Sequence, residues 1–250
     1  MKTRHIILIV IFLILIFSVL SCPFLFRGIN FQEKNLEDDK ALIISDLHLE
    51  SNPRNLSCIG NYLEENKISL LVLNGDIFDR KPREEFQKEF LDVIEKRLGI
   101  KEDFPSDIIY DLSFYNHDPY LKNDGSQYFQ ENGKEISVFQ GVLDLKVNEE
   151  PFYILHGDYV FSDTIGILAL INKFTSTLLW ERASRSAIGV GDNYWVILGH
   201  SHVPGIDYQR KIANSGFWIN RYFSATDTGV LIEANEKEEP KVELIKIPCD

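Results

Sequence analysis

Five of the six histidines in this 250-residue chain, His48, His117, His156, His200 and His202, stand where a short apolar run gives way to polar or glycine residues. Asp46, Asp76 and Asn116 occupy the same kind of position. One histidine there would be an ordinary loop residue, but five beside two carboxylates and an amide form a donor set. Imidazole nitrogen with carboxylate and amide oxygen suits manganese, iron, zinc or a similar divalent ion, and there are enough donors for two ions.

The elements that must carry these residues are legible as apolar runs. Ala41 to Ile44 stops at Ser45-Asp46, Ile68 to Leu73 stops at Asn74-Gly75-Asp76, and Asp107 to Ser113 precedes Tyr115-Asn116-His117-Asp118. Phe152 to Leu155 leads into His156-Gly157-Asp158, and Trp195 to Leu198 into Gly199-His200. Continuous runs of this kind predict strands covered on both faces. Helices are expected between them, over about Leu56 to Asn66, Arg83 to Leu98 and Asp163 to Ala187, and a last strand over Val242 to Ile247 after the acidic turn Glu233 to Glu239. The alternation gives an α/β layered architecture with its site at the carboxyl ends of strands.

In order and spacing, Asp46-Leu47-His48, Gly75-Asp76 with Asp79, Asn116-His117-Asp118, His156-Gly157-Asp158 and Gly199-His200-Ser201-His202 resemble the five blocks of the calcineurin-like metallophosphoesterases, from about Ala41 to Trp218. The resemblance implies a layered β-sandwich flanked by helices and a phosphoesterase that uses two divalent metal ions. It implies that Asp46, His48 and His202 hold one metal, that Asn116, His156 and His200 hold the other, and that Asp76 bridges both. A water between the ions then becomes the nucleophile on a phosphomonoester, phosphodiester or pyrophosphate. His117 is expected to protonate the leaving oxygen or stabilise the transition state, with Asp79 as the carboxylate that orients it. Asp118 and Asp158 are read as braces of their loops. Arg80 either contacts phosphate or is a surface residue at the start of a charged helix. The family's usual glycine before Asn-His-Asp is Tyr115 here, which implies a change of pocket shape. Asn214-Ser215-Gly216-Phe217-Trp218 after the last block also looks like the branch containing the UDP-diacylglucosamine pyrophosphatases.

Composition bounds the partners. The 21 residues from Ile6 to Phe26 carry no charge and 18 are apolar, enough for one helix across a hydrocarbon core of about 30 Å. An uncleaved transmembrane anchor over residues 1–27 and a polar linker over 28–40 are expected ahead of the enzyme domain at 41–250. A signal peptide and a lipid attachment at Cys22 are weighed beside it. Lys2 and Arg4 on one flank face Arg27, Lys34 and Lys40 on the other, so charge does not assign a side of the membrane. With Lys2 and Arg4 set aside, 24 basic residues stand against 38 acidic ones, net −14. That sign argues against nucleic acid as partner. Cys22, Cys58 and Cys249 give neither a disulfide framework nor a paired metal motif, and a Cys58–Cys249 bridge requires an oxidising compartment.

The segment Asp163 to Ala187 has two readings. It covers the core of its own domain, or it forms a lid or membrane-facing helix that cradles an acyl or isoprenoid chain while Arg182 and Arg185, with Arg80 and Asn116, meet phosphate. The substrate is accordingly expected to be a phosphorylated small molecule or a lipid-linked phosphate. The alternative from another class is a catalytically inactive scaffold or binding protein on the same fold. Such a protein would have lost metal ligands or His117, and this chain has all of them.

Overall fold

The computed structural model describes residues 30–37, 39–79, 86–101, 104–114, 117–118, 126–158, 178–220, 224–235 and 238–249. Two mixed sheets face each other. The first holds β1 (Phe31–Leu36), β7 (Val142–Val147), β8 (Glu150–Leu155), β9 (Trp195–Leu198), β11 (Ile212–Asn214) and β10 (Gly205–Asp207), in that spatial order. The second holds β13 (Lys241–Lys246), β12 (Thr228–Glu233), β2 (Lys40–Ile44), β3 (Leu70–Asn74), β4 (Asp107–Asp111), β6 (Lys134–Phe139) and β5 (Ser126–Glu131). The described helices are α1 (Ser57–Glu65), α2 (Phe86–Leu98) and α3 (Leu179–Ile188).

The apolar runs are continuous because both faces of the central strands are covered. Along β2 and β3, Ala41, Ile43, Leu70 and Val72 point between the sheets at Leu143, Leu145, Phe152, Ile154 and Ile197. Their neighbours Leu42, Ile44, Leu71 and Leu73 point the other way, against Ile59 and Leu63 of α1 and Phe90, Ile94 and Leu98 of α2. The outer face of the first sheet packs Leu155, Val196 and Leu198 with Leu178 and Ile188 of the α3 region. Helix α3 stops where Gly189 takes a left-handed backbone, φ 73°, the usual glycine stop.

Strands β2, β3, β4, β8 and β9 all deliver their carboxyl ends to one edge, β2, β3 and β4 through parallel pairing in one sheet and β8 and β9 in the other. Strand β7 runs antiparallel to β8, and β1 runs parallel to β7.

Two stretches differ from expectation. Phe31–Leu36, within the polar stretch read as a linker, is an edge strand registered from Phe31↔Val142 to Leu36↔Val147. Its polar sequence reflects exposure, since an edge strand is half-covered and needs no continuous apolar run. Cys58 and Cys249 are joined as a disulfide, their Cα atoms 5.5 Å apart, because α1 and the end of the chain pack on the same outer core. The expected anchor (residues 6–26), Arg80, Tyr115, Asn116 and most of the expected helix 163–187 lie outside the described residues. Among the described residues no helix is long and apolar enough to cross a membrane.

Candidate metal centre

The loops after β2, β3, β4, β8 and β9 bring the chemistry together. Asp46, His48 and His202 form one group and Asp76, His156 and His200 another, with one donor atom from each residue of a group within 4.8 Å of the others. Five of these six residues sit in left-handed backbone: Asp46 (φ 56°), His48 (48°), Asp76 (52°), His200 (66°) and His202 (56°). Non-glycine residues adopt that region rarely and at some cost, and functional sites concentrate such strain. Here each strand must turn abruptly so that its side chain points across the edge.

Hydrogen bonds fix the positions of Asp46 and Asp76. Asp46 Oδ2 accepts from Ser45 Oγ (2.5 Å) and from the His200 N–H (2.9 Å), which leaves Oδ1 pointing at His202 Nε2, 3.0 Å away. Asp76 is placed by Asp118, whose carboxylate accepts the N–H groups of Asp76 (2.7 Å), Ile77 (3.0 Å), Phe78 (3.2 Å) and Ser113 (2.9 Å) and the Tyr110 hydroxyl (2.5 Å). Asp158 accepts the Phe114 N–H at 2.5 Å. Both aspartates thus brace loops.

The imidazoles are oriented as ligands require. His156 Nδ1 donates to the Asn74 carbonyl at 2.8 Å, leaving Nε2 to face Asp76 at 3.4 Å. His48 Nδ1 lies 2.9 Å from Asp79 Oδ1. A partner on Nδ1 fixes the tautomer and offers the Nε2 lone pair to a cation. Asp79 is farther from His117, with Nδ1 3.8 Å away, so its close contact is with His48. The His48 and His117 rings meet edge to face at 4.9 Å.

Three histidines and three carboxylates carry the electrostatics. Burial opposes ionisation of Asp46, but His202 and His156 outweigh it and hold the carboxyl below its ordinary value. Asp76 is likewise opposed by burial and held low by His156, His200 and His48. Asp79, despite partial burial, is drawn down to about 2 by His48 and Ser51. Burial and the neighbouring His156 push His200 down to about 3, so it stays neutral. Burial opposes protonation of His156 and His48 too, yet the surrounding aspartates raise both, His156 strongly.

Two divalent ions fit this donor set. Asp46 Oδ1, Asp76 Oδ1, His156 Nε2 and His200 Nε2 are all buried and make no well-formed hydrogen bond, and the nearest polar neighbours of Asp46 Oδ1 and His156 Nε2 are members of the same two groups, His202 and Asp76. Buried polar atoms are almost always satisfied, and these four belong to the two groups in which carboxylate oxygen and imidazole nitrogen converge. A dication would satisfy them together.

Helix α3 supplies a part that sequence reasoning missed. Glu181, fully buried, accepts from Ser201 Oγ (2.6 Å) and Asn214 Nδ2 (2.9 Å), and Asn214 Nδ2 also reaches the Gly199 carbonyl (2.8 Å). The turn carrying His200 and His202 is therefore tied to α3. The available signal was an acid amid Leu178-Leu179-Trp180 and Ala183-Ser184, where a solvated face would not place one.

The two arginines of α3 lie elsewhere. Arg185 is buried and donates to the carbonyls of Tyr194 (2.5 Å), Lys211 (2.6 Å) and Arg210. Those residues immediately precede or flank the amino ends of β9 and β11, the edge opposite His200. Arg182 is exposed and lines, with Arg185, Asp192 and Arg210, a cavity of about 380 Å³ at that end. Because α3 starts at the metal edge and runs away from it, Arg185, one turn past Glu181, has left the site, while Arg182, next to Glu181, points to solvent.

No curated protein matches the chain. Among solved structures, a predicted phosphoesterase from Streptococcus pneumoniae is similar over 85% of this chain and 91% of its own at 15% identity (TM-score 0.39). Vps29 of Chaetomium thermophilum is similar over 84% and 99% at 14% identity (TM-score 0.41). An archaeal phosphodiesterase is similar over 82% and 99% at 19% identity (TM-score 0.39). A family model described as calcineurin-like phosphoesterase matches residues 40–224, which include every loop that carries the site. The chain belongs to the calcineurin-like phosphoesterases, metal-dependent hydrolases of phosphoric esters that use two divalent ions.

Proposed function

We propose that this protein is a membrane-anchored phosphoesterase with a dinuclear centre, for which Asp46, His48 and His202 would hold one ion, His156, His200 and Asn116 the other, and Asp76 would be shared. The observation that carries the reading is the set of four buried donor atoms, none in a well-formed hydrogen bond, whose polar neighbours are other donors of the two groups. When bound, two divalent cations supply Lewis-acid activation of water and neutralise charge on the phosphoryl oxygens. The chain's own residues do the rest. Asp46 and Asp76 stay ionised, His156 and His48 are locked in the ligating tautomer by Asn74 and Asp79, and His200 stays neutral.

His117, which clusters with His48 and Asp79 and not with either of the two ligand groups, stands partly open, its side chain 35% exposed beside His48. From there it gives a proton to the departing oxygen, a step worth about 10²–10⁴ in rate. Asp118 and Ser113 hold its loop against the Asp76 turn.

Residues 6–26 serve as a transmembrane anchor, supported by their length and lack of charge. The Cys58–Cys249 bridge supports placement of the domain on the oxidising side of that membrane, since disulfides persist there and not among cytosolic thiols.

Full-length protein in detergent, loaded with manganese, tests the reading against an aryl phosphate and an aryl phosphodiester. Hydrolysis of either, lost on chelation and strongly reduced in His117→Ala, is expected. A protein that binds no metal and hydrolyses neither is the inactive scaffold instead.

A further inference from the structure

Strand β1 fixes where the expected anchor meets the domain. The uncharged run ends at Phe26, and Asn30 already accepts the Val142 N–H through its carbonyl at 2.9 Å. Four peptide units separate the two, so Asn30 lies within about 14 Å of the end of the run. Strand β1 is parallel to β7 and β7 antiparallel to β8, with Phe31 opposite Val142 and Leu143 opposite Ile154. The amino end of β1 is therefore at the edge where β8 ends in His156. Strands β1 and β8 are two places apart in the sheet, a lateral distance of about 10 Å.

The same corner touches the catalytic loop. The Gly141 N–H donates to Asp111 Oδ1 at 3.0 Å, and Gln140 Nε2 donates at 3.0 Å to the carbonyl of Ser113, whose hydroxyl in turn accepts the His117 N–H at 3.4 Å. At this rim Phe31 is 52% exposed, a large apolar side chain open to whatever the edge faces. The far ends of β1 and β7 point the opposite way, to the turn at Asn148-Glu149, about 20 Å distant along strands of six residues.

We infer that the metal-bearing edge faces the bilayer that residues 6–26 cross, and that the substrate is a phosphorylated amphiphile whose phosphate lies at the surface of that bilayer. The inference rests on the anchored phosphoesterase reading. It adds an orientation, since an anchor attached at the far end of the sheet would turn the same centre toward bulk water. With no free linker between Phe26 and β1 longer than a few residues, the site is held within roughly 25 Å of the bilayer surface. A lipid phosphate then meets it at high effective concentration, while a water-soluble ester gains nothing from the tether.

The test uses the full chain in lipid vesicles. A flexible Gly/Ser spacer of about 30 residues, inserted after Arg27, extends the r.m.s. reach by about 30 Å. Turnover of a long-chain phosphatidic acid in the vesicle is expected to fall by roughly ten-fold or more with the spacer, while turnover of a soluble aryl phosphate is unchanged. Spin labels at Phe31→Cys and Glu149→Cys, in a Cys22→Ser background, give an activity-independent readout: paramagnetic lipid should broaden the first and not the second. Equal broadening of the two labels, or lipid turnover indifferent to the spacer while the aryl ester is hydrolysed, overturns the orientation and leaves the phosphoesterase reading standing. Loss of all hydrolysis in the unmodified protein removes both.

Discussion

His156 at the end of β8 donates its Nδ1 proton to the carbonyl of Asn74 at the end of β3, 2.8 Å away, and so joins the two sheets at the metal edge. Asn74 returns a bond from Nδ2 to the Leu155 carbonyl at 3.1 Å. The pair sets both the spacing of the sheets and the tautomer that frees His156 Nε2. Gly75, next in the chain, has φ 73°, and a Cβ there would lie 2.3 Å from the His156 ring. Gly75→Ala is therefore expected to displace the imidazole, to lower stability by about 1–3 kcal/mol, and to weaken one of two metal sites. Metal stoichiometry after dialysis, together with a denaturation curve, checks it; full retention of both ions would show that His156 does not need this position.

Asp79 and His117 act at different stages. Asp79→Asn removes the charge that orients His48 and is expected to reduce metal affinity about 10–100-fold. His117→Ala leaves metal content intact and lowers kcat, most for esters whose leaving group is a poor one. Calorimetric metal titration of the first variant and a leaving-group series for the second separate the two. A His117→Ala defect of equal size for good and poor leaving groups would contradict proton donation.

Glu181 holds the turn of His200 and His202 from outside the site. Glu181→Ala strips the buried Ser201 hydroxyl and Asn214 amide of an acceptor, at about 1–3 kcal/mol for groups left unsatisfied. Lower thermal stability and weaker metal retention are expected together. Unchanged metal affinity in a destabilised variant would mean that α3 supports the fold alone.

Asp111 gives the pH dependence. Its Oδ1 accepts from Gly141 and its Oδ2 is buried without a hydrogen-bond partner. Burial above all, with Asp158 and Asp118 near, raises its carboxyl well above 3.8. The native protein then keeps a proton that the unfolded chain loses. Stability from this group is full below about pH 4 and falls as pH climbs toward the raised native value, by up to about 1.4 kcal/mol per pH unit. Asp111→Asn does not titrate, so its stability relative to wild type should rise with pH over that window. Parallel stability profiles for the two proteins would refute the assignment.

The Cys58–Cys249 bridge spans 191 residues and ties α1 to the chain end, where the Cys249 carbonyl also accepts from Arg54 Nη2 at 2.7 Å. Closing so long a loop is worth about 2–5 kcal/mol. Cys58→Ser should lower stability by that amount, and reductant should do the same to the wild type but not to the variant. Alkylation of the unreduced, denatured protein should label Cys22 alone.

The candidate donors are legible in the sequence alone. Asp46, His48, Asp76, His156, His200 and His202 each follow a short apolar run, and a strand that ends at a site is a local pattern readable without knowing its neighbours. The sequence also determined which strands lie in the centre, because coverage on both faces demands an uninterrupted apolar run. Pairings between distant segments have no such local mark. That Asp79 lies closest to His48, that Arg185 serves carbonyls at the opposite edge, that Glu181 anchors the His200 turn, and that Cys58 meets Cys249 were decided by packing. Strand β1 is the sharpest case. FQEKNL is too polar to announce a strand, and only its place at the margin of a sheet, where one side needs no cover, makes it one. Its parallel register in turn decides at which end of the domain the preceding chain arrives.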